Sequence, residues 1–321
     1  MSIATAGGGN RLTGWVPELY HPLFMEVFHD KLFMNQLCNR DYEGTIKQQG
    51  DKVWLRELPE GKTFKYKKGM TLPHVELETK LQSFEVNRAR AWAFKIETID
   101  KMLSDMKNST SKIQEQFDKK LAEDIEIEFL ADIPGKCSVE NQGEGAGHQS
   151  ANYDLGSVSN PMGVQSATTT TAHKSAAIDL IARAAAALEE QPGGMGDDPF
   201  IVIPVWMGLR IQTGELKATQ LSGDSTSLLR KGVTACGMLA GLNVFTSNLL
   251  NQTVQSAPVA NTRCFDVIYG DKKGITYADQ ITESEIKGIE NGFGQKFQAL
   301  HTYDWKAAQP TRFGSLYVYA C

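Results

Sequence analysis

From Phe84 to Ile96 the even positions are Phe84, Val86, Arg88, Arg90, Trp92, Phe94 and Ile96, and the odd positions are small or charged. A period of two marks a β-strand that turns one face toward a core. Its length, about a dozen residues, is roughly double that of an ordinary strand. Such a strand can serve a domain sheet at one end and a projecting ribbon at the other.

The ribbon is sought just upstream, where residues 40–70 read as a long β-hairpin. Asp51 to Leu58 forms the outgoing strand, with Val53 and Leu55 on one face and Trp54 on the other. Pro59-Glu60-Gly61-Lys62 supplies a turn, because proline presets φ and glycine tolerates the reversed backbone. Thr63 to Lys68 returns with Phe64 and Tyr66 on one face and Lys65 and Lys67 on the other. Two strands alone are marginal in water, so this hairpin needs a partner outside itself. Its lysines, Lys62, Lys65, Lys67 and Lys68, form the one basic cluster. They are either a solvated tip or a contact for an acidic neighbour, where charge guides docking more than it adds affinity.

Downstream, Asn108-Ser109-Thr110-Ser111 offers helix caps, and Ile113, Phe117, Leu121, Ile125 and Phe129 recur every four residues before Pro134-Gly135. The spacing predicts a helix of roughly 33 Å, with a charged face made of Lys119, Lys120, Glu123, Asp124 and Glu126. If Phe117 lies in the packed seam, Phe117→Ala should cost about 3–5 kcal/mol. Residues 136–172 are polar and Gly-rich and read as a long loop or lobe boundary. A second lobe follows. It has a helix over Ser175–Glu190, a buried strand Phe200–Ile203 ending at Pro204, and a helix Val205–Thr213. Further strands are read at Leu242–Phe245, Cys264–Tyr269, Lys296–Tyr303 and Ser315–Ala320. Upstream of everything, residues 1–14 read as a mobile polar arm. Trp15 to Leu37, broken by Pro17 and Pro22, reads as a strap that lies against something else.

Composition narrows the function classes. The net charge of −5 argues against a general nucleic-acid binder, although a local basic face remains open. No apolar run approaches the roughly 20 residues of a membrane helix. Cys38, Cys137, Cys236, Cys264 and Cys321 form an odd, scattered set that suits a reducing cytoplasm better than a disulfide framework. Gly143-Glu144-Gly145-Ala146-Gly147 is the nearest approach to a phosphate loop, but polar loop sequence follows it where a helix N-terminus is needed. The six histidines make no zinc spacing, and no nucleophile elbow is present. The sequence nominates no catalytic, cofactor-binding or metal-ligating residue.

Taken in order, these elements resemble the major capsid proteins of tailed bacteriophages, which share the Hong Kong 97-like fold. Trp15-Val16-Pro17-Glu18-Leu19 matches the N-terminal arm, and Asn39-Arg40-Asp41-Tyr42 leading to Gly50-Asp51-Lys52-Val53 matches the start of the extended loop. Ala93-Phe94-Lys95-Ile96 is similar to the return from that loop, and Ser111–Leu130 to the spine helix. Phe200-Ile201-Val202-Ile203-Pro204 with Trp206 and Leu209 resembles the opening of the axial domain. Leu229-Arg230-Lys231-Gly232 and Gly241-Leu242-Asn243-Val244-Phe245 resemble its Gly-led strand. Tyr303-Asp304-Trp305 and Leu316-Tyr317-Val318 resemble the last strand pair.

The resemblance implies an α+β fold with an N-terminal arm (1–38), an extended β-hairpin loop (39–83) and a peripheral domain (84–172) containing the spine helix (111–130). An axial domain (173–295) and C-terminal strands (296–321) of undecided domain complete it. It implies a structural, non-catalytic shell subunit that assembles as pentamers and hexamers around double-stranded DNA, which it contacts non-specifically. Scaffolding, portal and decoration proteins would be partners, and the site would be the virion, assembled in a bacterial cytoplasm without a membrane. Because Met1 directly precedes the arm, a separate scaffolding protein is expected. The contact candidates are Trp15, Trp54, Lys62, Phe64, Lys65, Tyr66, Lys67 and Lys68. A cellular nanocompartment shell of the same fold is the nearest alternative. An α/β enzyme with no readable motif and a β-rich tail or adhesin subunit are more distant ones.

Overall fold

A computed structural model describes residues 30, 32–40, 52–56, 61, 63–71, 74, 76, 81–99, 110–165, 174–213, 237–255, 262–290 and 292–321. Its helices are α1 (Met34–Leu37), α2 (Thr110–Asp132), α3 (Ala177–Glu189) and α4 (Val205–Thr213). The strands begin with β1 (Lys52–Arg56), β2 (Leu81–Glu85), β3 (Arg88–Glu97), β4 (Met162–Gln165), β5 (Lys174–Ala176) and β6 (Pro199–Pro204). They continue with β7 (Met238–Leu239), β8 (Leu242–Ser247), β9 (Gln252–Gln255), β10 (Thr262–Asp271), β11 (Ile275–Gly288), β12 (Gly294–Ala307) and β13 (Phe313–Ala320).

Among the described residues the strands form three sheets. The largest runs β5-β4-β13-β10-β6-β8-β7, with β9 sharing the β6 edge of β10. Its centre is dry: every residue of β6 is buried, which is what an unbroken run of Phe, Ile and Val between two prolines demands. Pro204 lacks an N–H and ends the ladder, and Val205 begins α4 at once. Helix α3 lays Leu180, Ile181, Ala184 and Leu188 on the core side, a stripe at helical spacing. At Gly156 (φ 78°) the chain passes so close to the β13 backbone that a Cβ would meet the Tyr317 carbonyl and lie 2.9 Å from the Met162 nitrogen.

The second sheet orders β11-β12-β3, all antiparallel, and α2 packs on one of its faces. A β-bulge between Ile281 and Glu283 shifts which residues of β11 face the helix. The third sheet is the two-stranded ribbon β1-β2, in which Lys52 faces Glu85 and Arg56 faces Leu81. One main apolar cluster runs through α1, α2, α3 and both larger sheets, from Leu37 and Phe129 to Ile201 and Val318. The ribbon is tied to the body separately. Phe84 and Val86 bury against Ala278 and Ala308, while Gln82 and Lys306 bond across to the Ala308 and Ser83 carbonyls.

Four expectations need correction. The strand that returns from β1 is Leu81–Glu85, and Thr63–Lys68 lies in irregular chain between the two. The long alternating strand breaks at Val86-Asn87 into β2, which joins the ribbon, and β3, which joins the body sheet. The last two strands are not a pair, since β12 belongs to the three-stranded sheet and β13 to the largest one. Phe117 stays 37% exposed although it packs on β3, and Glu126, assigned to the charged face, is only 2% exposed. A four-residue step overshoots the helical repeat by about 40°. A ladder from Ile113 to Phe129 therefore winds around the rod, and only its C-terminal part reaches the core.

Candidate functional site

Between the ribbon strands, Phe64 and Tyr66 are exposed at 44% and 66%, and Lys65, Lys67 and Lys68 are exposed beside them. A turn closed by Met70 N–H to the Lys67 carbonyl, 3.0 Å, follows. Aromatic rings left in water on an irregular segment contribute nothing to this subunit's own core. They are the kind of anchor that interface centres favour. Met70 and Leu81 are also exposed. Of the other contact candidates, Trp15 and Lys62 lie outside the described residues. Trp54 lies on β1 opposite Ser83, and only its backbone is described.

The arginines of β3 do not form a free basic face. Arg88 bonds Asp132 at 3.0 Å and lies 4.0 Å over the Trp305 ring. Arg90 reaches Asp124 at 2.9 Å and Glu128 at 2.5 Å. The Tyr303 hydroxyl also donates to Glu128, at 2.7 Å. Burial pushes the Glu128 carboxyl up, but the bonds from Arg90 and Tyr303 outweigh it and hold it below its ordinary range. This layer screws α2 onto the sheet with charge-assisted bonds, where geometry matters more than count. Further out, Phe117 stacks on Phe94 with centroids 5.1 Å apart, and Phe94 stacks on Phe297 at 4.9 Å.

Where α2, α1 and the sheet meet, a cavity of about 390 Å³ opens, lined by Leu32, Met34, Trp92, Leu121, Glu126 and His301 among others. Glu126 accepts the Phe33 N–H at 2.9 Å and the Met34 N–H at 3.3 Å. Burial drives its carboxyl up to about 7, and the two backbone donors pull the other way. Reading the sequence placed Glu126 on a wet face. No pattern in its neighbours marks it, because its partners come from a segment 92 and 93 residues away.

The possible chemical centres resolve into structure. Gly147 N–H bonds the Glu140 carbonyl at 2.7 Å, and the Gln149 and Ser150 N–H groups bond the Glu190 carboxylate at 2.9 and 3.0 Å. The Ala146 and Gly147 amides at the end of the Gly143–Gly147 run are thus spent on the protein itself, on the Tyr153 and Glu140 carbonyls. His148 sits 2.9 Å from Glu140, and His301 sits 3.5 Å from Asp279. Among the described residues no cluster of three or more His, Cys, Asp or Glu could hold a metal ion. Cys38, Cys137 and Cys264 are buried free thiols and Cys321 is an exposed one. Among the described residues no helix is long and apolar enough to cross a membrane.

No protein-family model matches the sequence, and no curated protein matches it. Solved structures do match. A chain from a structure of Mycobacterium phage Che8 aligns with a TM-score of 0.65 at 19% identity, covering 94% of this chain and 97% of that one. The capsid structure of the cyanophage P-SCSP1u gives 0.69 at 13% identity, over 99% and 97%. The capsid of the native GTA particle gives 0.62 at 11%, over 97% and 98%. At such identities the likeness speaks to fold, and the fold is the α+β fold of these phage capsid chains.

Proposed function

We propose that this chain is the major capsid protein of a tailed phage, a structural subunit of the Hong Kong 97-like type that performs no catalysis. The observation that carries the reading is the near full-length likeness, in both directions, to chains of a phage structure and of two capsids. On this reading residues 1–38 are the N-terminal arm and 39–83 the extended loop. The peripheral domain spans 84–172 around the helix at 111–130, and the axial domain spans 173–295. The C-terminal strands then divide between these domains, β12 going with the helix-bearing sheet and β13 with the larger one. Subunits join as pentamers and hexamers through heterologous contacts that close into an icosahedral shell. Many modest contacts per subunit supply the stability of the whole. The shell encloses double-stranded DNA and forms part of the virion after assembly in the host cytoplasm with scaffolding and portal proteins.

Phe64, Lys65, Tyr66, Lys67 and Lys68, with Trp15, Trp54 and Lys62, are the residues proposed to meet neighbouring subunits. The exposure of the first five supports this, since side chains left in water by their own subunit have surface available for another. Electron microscopy and sedimentation of the protein expressed alone and with its genomic neighbours test the function. Closed shells, or tubes and spirals that become closed shells with a partner, are expected. A small discrete oligomer under every condition would overturn the capsid reading.

A further inference from the structure

We infer that Leu32–Leu37 is a proton-linked latch on the long helix α2, seated while the Glu126 side chain carries a proton and lifting when that proton leaves. The geometry has three parts. Glu126 is 2% exposed, and the bonds it accepts come from the backbone N–H groups of Phe33 and Met34, at the start of α1. The segment above it is short and packs mainly through Met34, Leu37 and the Phe33 ring, which lies 5.2 Å from Phe245. A cavity of about 390 Å³ already runs beside the carboxyl, bordered by Leu32, Met34 and Leu121, so water has a route to it when the segment lifts.

The charged groups facing this cavity are engaged elsewhere. From the segment that follows α1, Arg40 bonds Asp279 of β11 at 2.5 Å and lies over the Tyr277 ring. From β12, His301 approaches the same Asp279 at 3.5 Å. From α2 itself, Asp118 accepts the Trp92 indole N–H at 2.8 Å. The buried Cys38 thiol, on the segment, is pushed up by burial and stays neutral. A buried carboxylate with no cation bonded to it is costly, and a protonated one is far less so.

The direction follows. The seated state holds the Glu126 pKa at about 7, above the 4.5 that an exposed glutamate would show once the segment lifts. The seated state therefore binds the proton more tightly. Its advantage is complete below pH 4.5 and is lost as pH rises through about 7. The lifting equilibrium should favour the open state by tens of fold, to order of magnitude, on going from pH 5 to pH 8.

Hydrogen exchange at the Phe33 and Met34 amides of the full chain tests this, with intrinsic rates corrected at each pH. Wild type should lose protection by tens of fold between pH 5 and pH 8. E126Q, which stays neutral and keeps an acceptor oxygen, should remain protected and flat over that range. H301Q should keep the wild-type slope, which separates Glu126 from the His301–Asp279 pair. A flat wild-type profile overturns the latch, as does an E126Q profile with the wild-type slope. Loss of the slope in H301Q but not in E126Q overturns it as well.

Discussion

Helix α2 carries a comparison made sharp by the unequal burial along its ladder: Phe129→Ala against Phe117→Ala. Phe129 is fully buried, sits in the main core cluster, and meets the Trp305 ring edge-on at 5.7 Å. Truncating it leaves an enclosed hole, and a buried Phe→Ala change costs about 3–5 kcal/mol. Phe117 lies three turns earlier, 37% exposed, and packs on the Trp92 and Phe94 rings at 5.6 and 5.1 Å. Its removal opens a groove that water can enter, so the enclosed-hole penalty is absent. What remains is part of the burial of one aromatic side chain and its stacking, about 1–2 kcal/mol. This corrects the larger cost expected when both residues were placed in one seam. The assay is urea unfolding of the unassembled subunit, because assembly would add concentration-dependent stability. The midpoint should fall much further for Phe129→Ala, with m unchanged. Equal losses, or a larger one for Phe117→Ala, would refute the argument that the ladder winds out of the core.

Arg90→Met keeps an apolar stem but removes the bonds to Asp124 and Glu128. The loss should be about 1 kcal/mol near neutral pH, given the partial exposure of all three groups. Because Glu128 is held below its ordinary range, the deficit should shrink as pH falls and the carboxylate protonates in both states. Gly156→Ala combines a strained φ with a collision against the β13 backbone and should cost about 2–4 kcal/mol in the same urea assay. Replacing Lys65, Lys67 and Lys68 together with Gln should leave subunit stability within about 0.5 kcal/mol. On the capsid reading it should slow assembly and flatten its salt dependence, as followed by light scattering. Deleting residues 62–68 should leave a folded subunit that forms no stable shell by sedimentation.

The elements legible in the sequence are those whose burial is decided locally. The run Phe200–Ile203 between prolines, the Val205–Thr213 helix and the stripe of α3 all report one-sided or complete burial through neighbours close in sequence. Strand β11 was missed although it is 14 residues long. Its bulge at Ile281/Glu283 shifts the alternation halfway along, and the second half puts the charged Glu285 and Lys287 on the face opposite Ile286. The break at Val86-Asn87 was hidden for the opposite reason. Phe84 and Val86 bury on the back of the sheet while Arg88 onward faces α2, yet parity runs through unbroken. A pattern of large and small residues cannot say against which surface each large one is buried.

The same limit explains the misplaced return strand of the ribbon. Phe64 and Tyr66 alternate with Lys65 and Lys67, and alternation of that kind normally signals a strand on its own sheet. Here those residues are exposed and irregular, while the true partner of β1 is Leu81–Glu85, where only Phe84 is buried. The main core is continuous across α2 and both larger sheets, so those parts are bound into one folding unit. The ribbon touches that unit through Phe84, Val86 and two side-chain bonds to backbone carbonyls. Two strands are marginal by themselves, so the ribbon depends on these ties to the body. If the chain builds a shell, the pattern at Phe64–Lys68 is suited to a surface on another copy.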